Sequence, residues 1–299
     1  MDAKLTAMVT IIIPTYNNES TIDRAIVSVM MQSSKDWELV VVNDGSTDGT
    51  ASILSMYKER LGDKMTVITN EKNVGVGISR KRGLDAAKGE FITFLDSDDF
   101  LTPSFLEMNE FLQKQHDSDI VYTSTIILFP EGRVENVPSG DYIMTEDATV
   151  QCHFNNRLKF LTGKLFRKSL LDRVKFSPKR IGEDVQTVFF ATYIADKVRS
   201  SNYAGYVHVF REGSLLANAP EFYCYCHSSL AQIEIIEFLK EHDDKVVLPF
   251  LLKTAYDDFN RMQLAVKQKQ VAKNDIDANI EAWSDLKAWY KKHTKWLTS

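Results

Sequence analysis

Three features of the chain lead to an α/β architecture: a sheet of buried strands flanked by helices, with a helical extension behind it. Short runs of Val, Ile, Thr and Phe, apolar with little alternation, recur through the first hundred residues. Strands covered on both faces read this way. Stretches of helical length separate those runs, and a βαβαβαβ order implies parallel strands with helices on both sides. Beyond about Ala219 the strand-like runs stop, and apolar residues recur at helical spacing.

Taken in order, Val9–Ile13 (VTIII) is the first strand. The short apolar run that contains it has no small-residue cleavage site and ends in proline, so it does not read as a signal peptide. The expected location is therefore cytoplasmic, with the inner face of the membrane as a peripheral alternative. A helix is expected over Ser20–Gln32, then a strand at Glu38–Val42 (ELVVV) and a helix over Asp48–Leu61. The strand Met65–Thr69 (MTVIT) and a helix over Gly75–Lys88 follow. Phe91–Leu95 (FITFL) is the last strand of the series and runs directly into Asp96-Ser97-Asp98-Asp99.

From Ile120 to Phe166 the pattern loosens into strands and loops, including "IVYTSTIILF". "IGEDVQTVFFATYIAD" then reads as a loop entering an amphipathic helix. Its Glu183 and Asp184 fall at the helix start, where the helix dipole favours negative charge. The next segment, "YVHVFREGSL", reads as a strand and loop. The expected division is a main domain over 1–218, with halves of about 1–100 and 101–218, and a helical region over 219–299.

Composition bounds the function. A net charge of −5 disfavours general nucleic-acid binding, which needs a basic surface. The three cysteines, Cys152, Cys224 and Cys226, are odd in number and lack zinc-site spacing, so idle thiols in a reducing compartment are expected. No segment approaches the roughly 18 apolar residues of a membrane-spanning helix.

The chemistry concentrates at the strand ends. In open α/β sheets ligands bind beyond the carboxyl ends of the strands. Pro14-Thr15-Tyr16-Asn17, Asn43-Asp44-Gly45-Ser46 and Asp96-Ser97-Asp98-Asp99 are therefore expected on one edge. Three carboxylates within four positions repel one another unless a cation or water offsets them. "GVGISRKRG" is not a dinucleotide fingerprint, because Arg80 stands where its third glycine belongs, and no G-x-x-x-x-G-K-[ST] loop occurs. Without a glycine cradle for phosphate, a divalent metal on the aspartates is the expected counter-charge, bridging them to a nucleotide diphosphate.

Taken as a set, "IIIPTYNNESTIDRAIVSV", "WELVVVNDGSTDGT", "NVGVGISRKRGLDAAKGEFITFLDSDD" and "GEDVQTVF" closely resemble glycosyltransferase family 2, the large inverting family of GT-A fold. The resemblance runs from about Val9 to Ser214. It implies a Rossmann-like mixed sheet flanked by helices, and transfer of a sugar from a nucleotide sugar, usually a UDP-sugar, to a hydroxyl acceptor with inversion.

Residue by residue, the resemblance puts Pro14, Thr15, Tyr16 and Glu19 at the donor and Asp44 on the uracil. Arg80 lies near the base, within a signature that also includes Asn73, Gly75 and Gly83. Ser79-Arg80-Lys81 departs from the family's A-R-N there. Asp96 and Asp98 match the D-x-D motif, with Asp96 and Ser97 toward the nucleotide and Asp98 on Mn²⁺ or Mg²⁺. Such ions accept one or two carboxylates and fill their remaining sites with phosphate and water. Asp99 is read either as a cap for the helix beginning near Pro103 or as a support behind the metal ligands.

Glu183-Asp184 falls where the family keeps its acidic E-D pair. Inversion needs a base on the acceptor side; the reading assigns it to Asp184, with Glu183 orienting the acceptor or its neighbour. Arg211 and Ser214 are implied at the phosphates. His208 is implied as a further metal ligand, although a histidine on a strand also reads as structural.

Two other functions compete: a nucleotidyltransferase, which would release pyrophosphate rather than UDP, and a non-catalytic sugar-nucleotide or glycan-binding module. The acceptor is a glycan, a lipid-linked species or a polymer. In the final "IEAWSDLKAWYKKHTKWL", Trp283, Leu286, Trp289, Tyr290 and Trp296 lie on or near one helical face. That face suits packing on its own domain, a second subunit in a homo-oligomer, or a membrane interface.

Overall fold

Every residue of Val9–Thr15 (β1) and Trp37–Asn43 (β2) is buried, as unbroken apolar runs require of strands covered on both faces. The computed structural model describes residues 8–140, 142–144, 160–177, 182–210 and 221–297, with backbone alone at 142–144, 250 and 294–297. β1 and β2 pair in parallel, with Thr15 beside Asn43. Met65–Thr69 (β3) joins β2 and Phe91–Phe94 (β4) joins β1, both also in parallel. Ile22–Met30 (α1), Thr50–Leu61 (α2) and Val76–Ala86 (α3) form the crossovers. Each of these elements ends within two residues of the expectation from sequence.

Successive β1 side chains point to opposite faces of the sheet. Val9, Ile11 and Ile13 pack with Ile22, Ile26 and Val29 of α1. Ile12 packs on the other face with Val40, Val42 and Leu84. Full burial of each such side chain contributes about 1.5–3 kcal/mol relative to exposure, so this sandwich is what fixes the strand ends in place.

Past β4 the sheet becomes mixed. Phe100–Leu101 (β5), Phe105–His116 (α4), Ile120–Leu128 (β6), Val134–Val137 (β7) and Tyr142–Met144 (β8) follow in the chain. Then come Lys164–Arg167 (β9), Lys168–Leu171 (α5), Glu183–Tyr193 (α6) and Val198–Val209 (β10). The strand order is β3-β2-β1-β4-β9-β6-β10-β5, with β7 on β6 and β8 on β10. β9 is antiparallel to both β4 and β6, and β10 is parallel to β6. Two reversals restore the original direction, so β10 ends on the same edge as β1, β2 and β4. The βαβ alternation alone predicts parallel strands; the mixed, helix-flanked sheet is what the family resemblance implied.

The chain divides into two units, Met1–Arg211 and Glu212–Ser299. The second contains Glu221–Glu241 (α7), Val247–Lys267 (α8), Lys273–Ala278 (α9) and Ile280–Leu297 (α10). Its core is aromatic. Trp283 meets Phe222 at 5.4 Å and Phe259 at 5.6 Å between ring centroids, and Phe259 stacks on Tyr290 at 4.0 Å. Trp283, Leu286 and Tyr290 of the amphipathic last helix are thus buried within their own unit, while Trp289 Nε1 donates to Glu237 at 2.7 Å. The side chain of Trp296 lies outside the described residues. Cys226 is buried in α7, which pushes its thiol up to about 12, and Cys224 is likewise unpaired; Cys152 lies outside the described residues. Among the described residues no helix is long and apolar enough to cross a membrane.

Candidate active site

The loops leaving β1 and β2 are knitted to each other at the sheet edge. Asn17 N–H donates to Ser46 Oγ at 3.0 Å, and Thr47 N–H returns a bond to Asn17 Oδ1 at 2.8 Å. Between them Gly45 takes a positive φ of 72°, and a Cβ there would stand 2.8 Å from the Lys72 carbonyl carbon. The "NDGS" turn therefore needs glycine for both conformation and space. Asn18 Nδ2 reaches across to Ser97 Oγ at 2.8 Å, joining the acidic loop to this pair. Pro14 and Thr15 are buried at the end of β1, whereas Tyr16 is 44% exposed just beyond it.

Two residues expected at the donor are occupied with their own backbone. Asp44 is buried; its Oδ1 accepts from Asn70 Nδ2 at 2.7 Å and Val74 N–H at 2.9 Å, and its Oδ2 from Gly75 N–H at 2.9 Å. It holds in place the turn that carries Asn73. Glu19 Oε2 accepts from Gly49 N–H at 2.6 Å, at the start of α2.

The acidic loop meets α3 and α6 through one guanidinium. Arg80 is buried, with Nη2 2.8 Å from Asp96 Oδ1 and Nη1 2.6 Å from Glu183 Oε1. Burial works against the Arg80 charge, yet Asp96, Glu183 and Asp184 outweigh it and raise its pKa. Arg80 therefore stands at the junction of the two acidic motifs.

The close approach of α3 to α6 depends on Gly77. A Cβ there would fall 2.2 Å from the Ser177 carbonyl oxygen and 3.1 Å from Glu183 Cγ. Burial raises the Glu183 carboxyl to about 7 against the opposing charge of Arg80, with Asp184 adding to the rise. Asp184 is partly exposed at the first turn of α6 and accepts from Val185 N–H at 2.8 Å. Its pKa is also raised, by burial first, with Arg80 opposing.

Asp99 does not cap α4. That helix begins at Phe105 after Ser104, with no side-chain cap. Asp99 is instead buried against the end of β10, accepting from Tyr206 Oη at 2.5 Å and Val209 N–H at 2.8 Å. His208 Nδ1 lies 3.2 Å from the same carboxylate, and that hydrogen bond is the leading reason the His208 pKa is raised. The charges of Asp96 and Asp98 reinforce the rise. Tyr206 was not singled out from sequence; its place two residues before His208, on the same strand face, was the available signal. Asp98 is partly exposed, and Arg24 holds its backbone carbonyl. Arg211 and Ser214 lie outside the described residues.

Five carboxylates, Asp96, Asp98, Asp99, Glu183 and Asp184, thus share this edge with Arg80 and His208. That acidic surplus, with carboxylate and imidazole donors at hand, suits a divalent cation. Among the described residues no three His, Cys, Asp or Glu side chains form a ready cage.

Residues 10–175 match the family model described as Glycosyl transferase family 2, more than half of the chain. Glycosyltransferase GlyA of Streptococcus pneumoniae is 27% identical over 218 residues, 69% of this chain and 31% of that protein. Poly(ribitol-phosphate) beta-glucosyltransferase of Bacillus spizizenii is 29% identical over 275 residues, 87% of this chain and 42% of that protein. The chain therefore spans less than half the length of either. The crystal structure of S. aureus TarS 1–349 in complex with UDP-GlcNAc superposes with a TM-score of 0.71 at 25% identity. That match covers 93% of this chain and 79% of the other.

Proposed function

Because the chain belongs to glycosyl transferase family 2, we propose that it moves a sugar from a UDP-sugar to a hydroxyl group of a polymer acceptor, with inversion and with help from Mn²⁺ or Mg²⁺. The observation that carries this reading is the single cluster made by the two acidic motifs. Arg80 bonds both Asp96 of the donor-side loop and Glu183 at the head of α6. A transferase needs its leaving group and its base held at a fixed separation, and a bridge between the two motifs is consistent with that need. The polymer acceptor is suggested by the B. spizizenii relative, named for poly(ribitol-phosphate), and the donor by the TarS complex with UDP-GlcNAc. Glycan and lipid-linked acceptors belong to the same chemical class.

Asp184 is the proposed base. Glu183 directs one oxygen to Arg80 at 2.6 Å and is buried, whereas Asp184 is partly exposed and no cation occupies it at comparable range among the described residues. Its raised pKa makes it a better proton acceptor than an ordinary aspartate. As the acceptor oxygen bonds to the anomeric carbon, its proton passes to Asp184. The bond from that carbon to the β-phosphate oxygen breaks, and the electron pair leaves with UDP. Attack opposite the leaving group inverts the carbon.

Asp98 and His208 would hold the cation, which when bound neutralises charge building on the departing diphosphate. Asp96 and Ser97 would face the ribose side, and Pro14, Thr15 and Tyr16 the base side. Arg80 keeps Asp96 and Glu183 oriented while no substrate is present, and Asp44 keeps the Asn73 turn in shape.

The test is a panel of UDP-sugars incubated with candidate acceptors in the presence and absence of Mn²⁺. Release of UDP that requires metal and acceptor is expected. Release of pyrophosphate would identify a nucleotidyltransferase, and binding without any turnover would identify a recognition module.

A further inference from the structure

The Asp99 carboxylate is 1% exposed, whereas the imidazole bonded to it is 47% exposed. Three donors from one short stretch of β10 converge on this buried group: Tyr206 Oη at 2.5 Å, Val209 N–H at 2.8 Å and His208 Nδ1 at 3.2 Å. Tyr206 Oη in turn accepts from Asp96 N–H at 3.4 Å. The third aspartate of "DSDD" is therefore turned away from solvent and bound to the strand that ends at the site.

We propose that Asp99 is a positioning residue that holds His208 with its proton on Nδ1, leaving the Nε2 lone pair to bind the divalent cation. The inference rests on the reading of Asp98 and His208 as metal ligands. Both Asp99 oxygens already accept, Oδ2 from Tyr206 Oη and Oδ1 from Val209 N–H, so the group is set as an acceptor and the His208 nitrogen beside it is the donor. In neutral imidazole the other nitrogen then carries the lone pair. Histidines that ligate metals usually donate their second N–H to a carboxylate or carbonyl, which fixes the ring and raises its basicity. Tyr206 completes the arrangement: it fixes the carboxylate from one side and the acidic loop from the other, while Val209 sets the height of the strand end.

A carboxylate that merely tied down the strand would need the tyrosine and the backbone N–H, and would leave the tautomer of His208 unspecified. The difference is measurable without turnover. The full chain is labelled with ¹⁵N-histidine, and His208 is assigned by its loss in His208→Gln. At alkaline pH, where the ring is neutral, the wild-type nitrogen shifts should report the proton on Nδ1. Calorimetric titration of Mn²⁺ into the UDP-saturated protein should show Asp99→Asn weakening the metal by about 10–100-fold, as is typical when such a partner is lost. His208→Ala should weaken it at least as much. The wild-type tautomer needs no folded variant, so the proposal stays exposed even if Asp99→Asn is unstable. A proton on Nε2 in the wild type overturns it. So does a folded Asp99→Asn that binds Mn²⁺ normally while His208→Ala does not; in that case the metal reading stands and only the positioning role falls. If neither His208→Ala nor Asp98→Ala alters Mn²⁺ binding, the metal reading itself fails and takes the proposal with it.

Discussion

Arg80 Nη1 lies 2.6 Å from Glu183 Oε1 and joins α3 to the first residue of α6 across 103 positions of sequence. Its other terminal nitrogen holds Asp96 at 2.8 Å. One planar fork thus sets the distance between the acidic loop after β4 and the helix bearing the proposed base. Lysine would bring a single point charge to a place that uses two divergent donors.

Arg80→Ala leaves Glu183 buried without its counter-ion and Asp96 without its orienting bond. Removing one partner of a buried pair typically costs about 3–5 kcal/mol. Urea unfolding should show a lower midpoint with an unchanged slope. Arg80→Lys should recover part of the loss at most. A full recovery by lysine would mean that charge alone, not the fork, fixes the junction.

Stability should depend on pH through Glu183. Burial raises its carboxyl from 4.5 to about 7 in the folded protein, so between those values the folded chain binds a proton that the unfolded chain has released. Stability from this group is therefore fully present below about pH 4.5 and declines as pH rises toward 7. Glu183→Gln should flatten that part of the profile relative to wild type, as followed by urea midpoints at half-unit pH steps. Parallel profiles for the two proteins would show that Glu183 titrates normally.

Gly77→Ala should disturb α6 without removing any polar side chain. The new methyl meets the Ser177 carbonyl oxygen and Glu183 Cγ, so the helix head must shift. A loss of turnover with UDP affinity retained is expected, since Asp96 and Asp98 stay in place. Unchanged turnover would show that the separation of α3 and α6 tolerates adjustment.

Trp283→Ala tests the last helix. The ring sits among Phe222, Phe259 and Tyr225, and emptying such a position costs about 3–5 kcal/mol. Earlier thermal unfolding is expected, with no change in vesicle binding. If stability is unaffected and vesicle binding falls, the tryptophan face serves a membrane and not the core of its unit.

The sequence made the donor-side architecture legible because its signals are local. Apolar runs such as Val9–Ile13 and Glu38–Val42 could be read without their partners, and so could the acids that follow Phe94. The "DSDD" and "GED" stretches were legible as motifs for the same reason. What could not be read is long-range pairing. Arg80 was assigned to the base side from its place in a signature, yet its partners lie 16 and 103 residues away. The partners of Asp44 and Asp99 were equally illegible, because the fold brings each onto backbone N–H groups from a distant segment, Val74 and Gly75 for the first and Val209 for the second. Trp283, Leu286 and Tyr290 had three plausible destinations by pattern, because an amphipathic face states what it avoids without naming what covers it.

The two acidic motifs should separate by the step each serves. Asp98→Ala should lose metal-enhanced UDP binding and turnover together, since it is the proposed ligand of the cation. Asp184→Asn should bind UDP and metal normally, because the amide is nearly the same size and Asp184 has no proposed part in holding the cation or the diphosphate. It cannot take up the acceptor proton, however, and losing a positioned base costs about 10²–10⁴-fold in rate. Glu183→Gln removes a charge that Arg80 faces but not the proton acceptor, so its turnover should fall less. Calorimetry gives the binding terms, and UDP release at saturating donor gives the rates. If Asp184→Asn keeps near-normal transfer while Glu183→Gln is inactive, the base is Glu183 and its contact with Arg80 must open during the cycle. If both variants and Asp98→Ala remain active, this cluster does not perform the transfer, because no step assigned to it would then depend on its carboxylates.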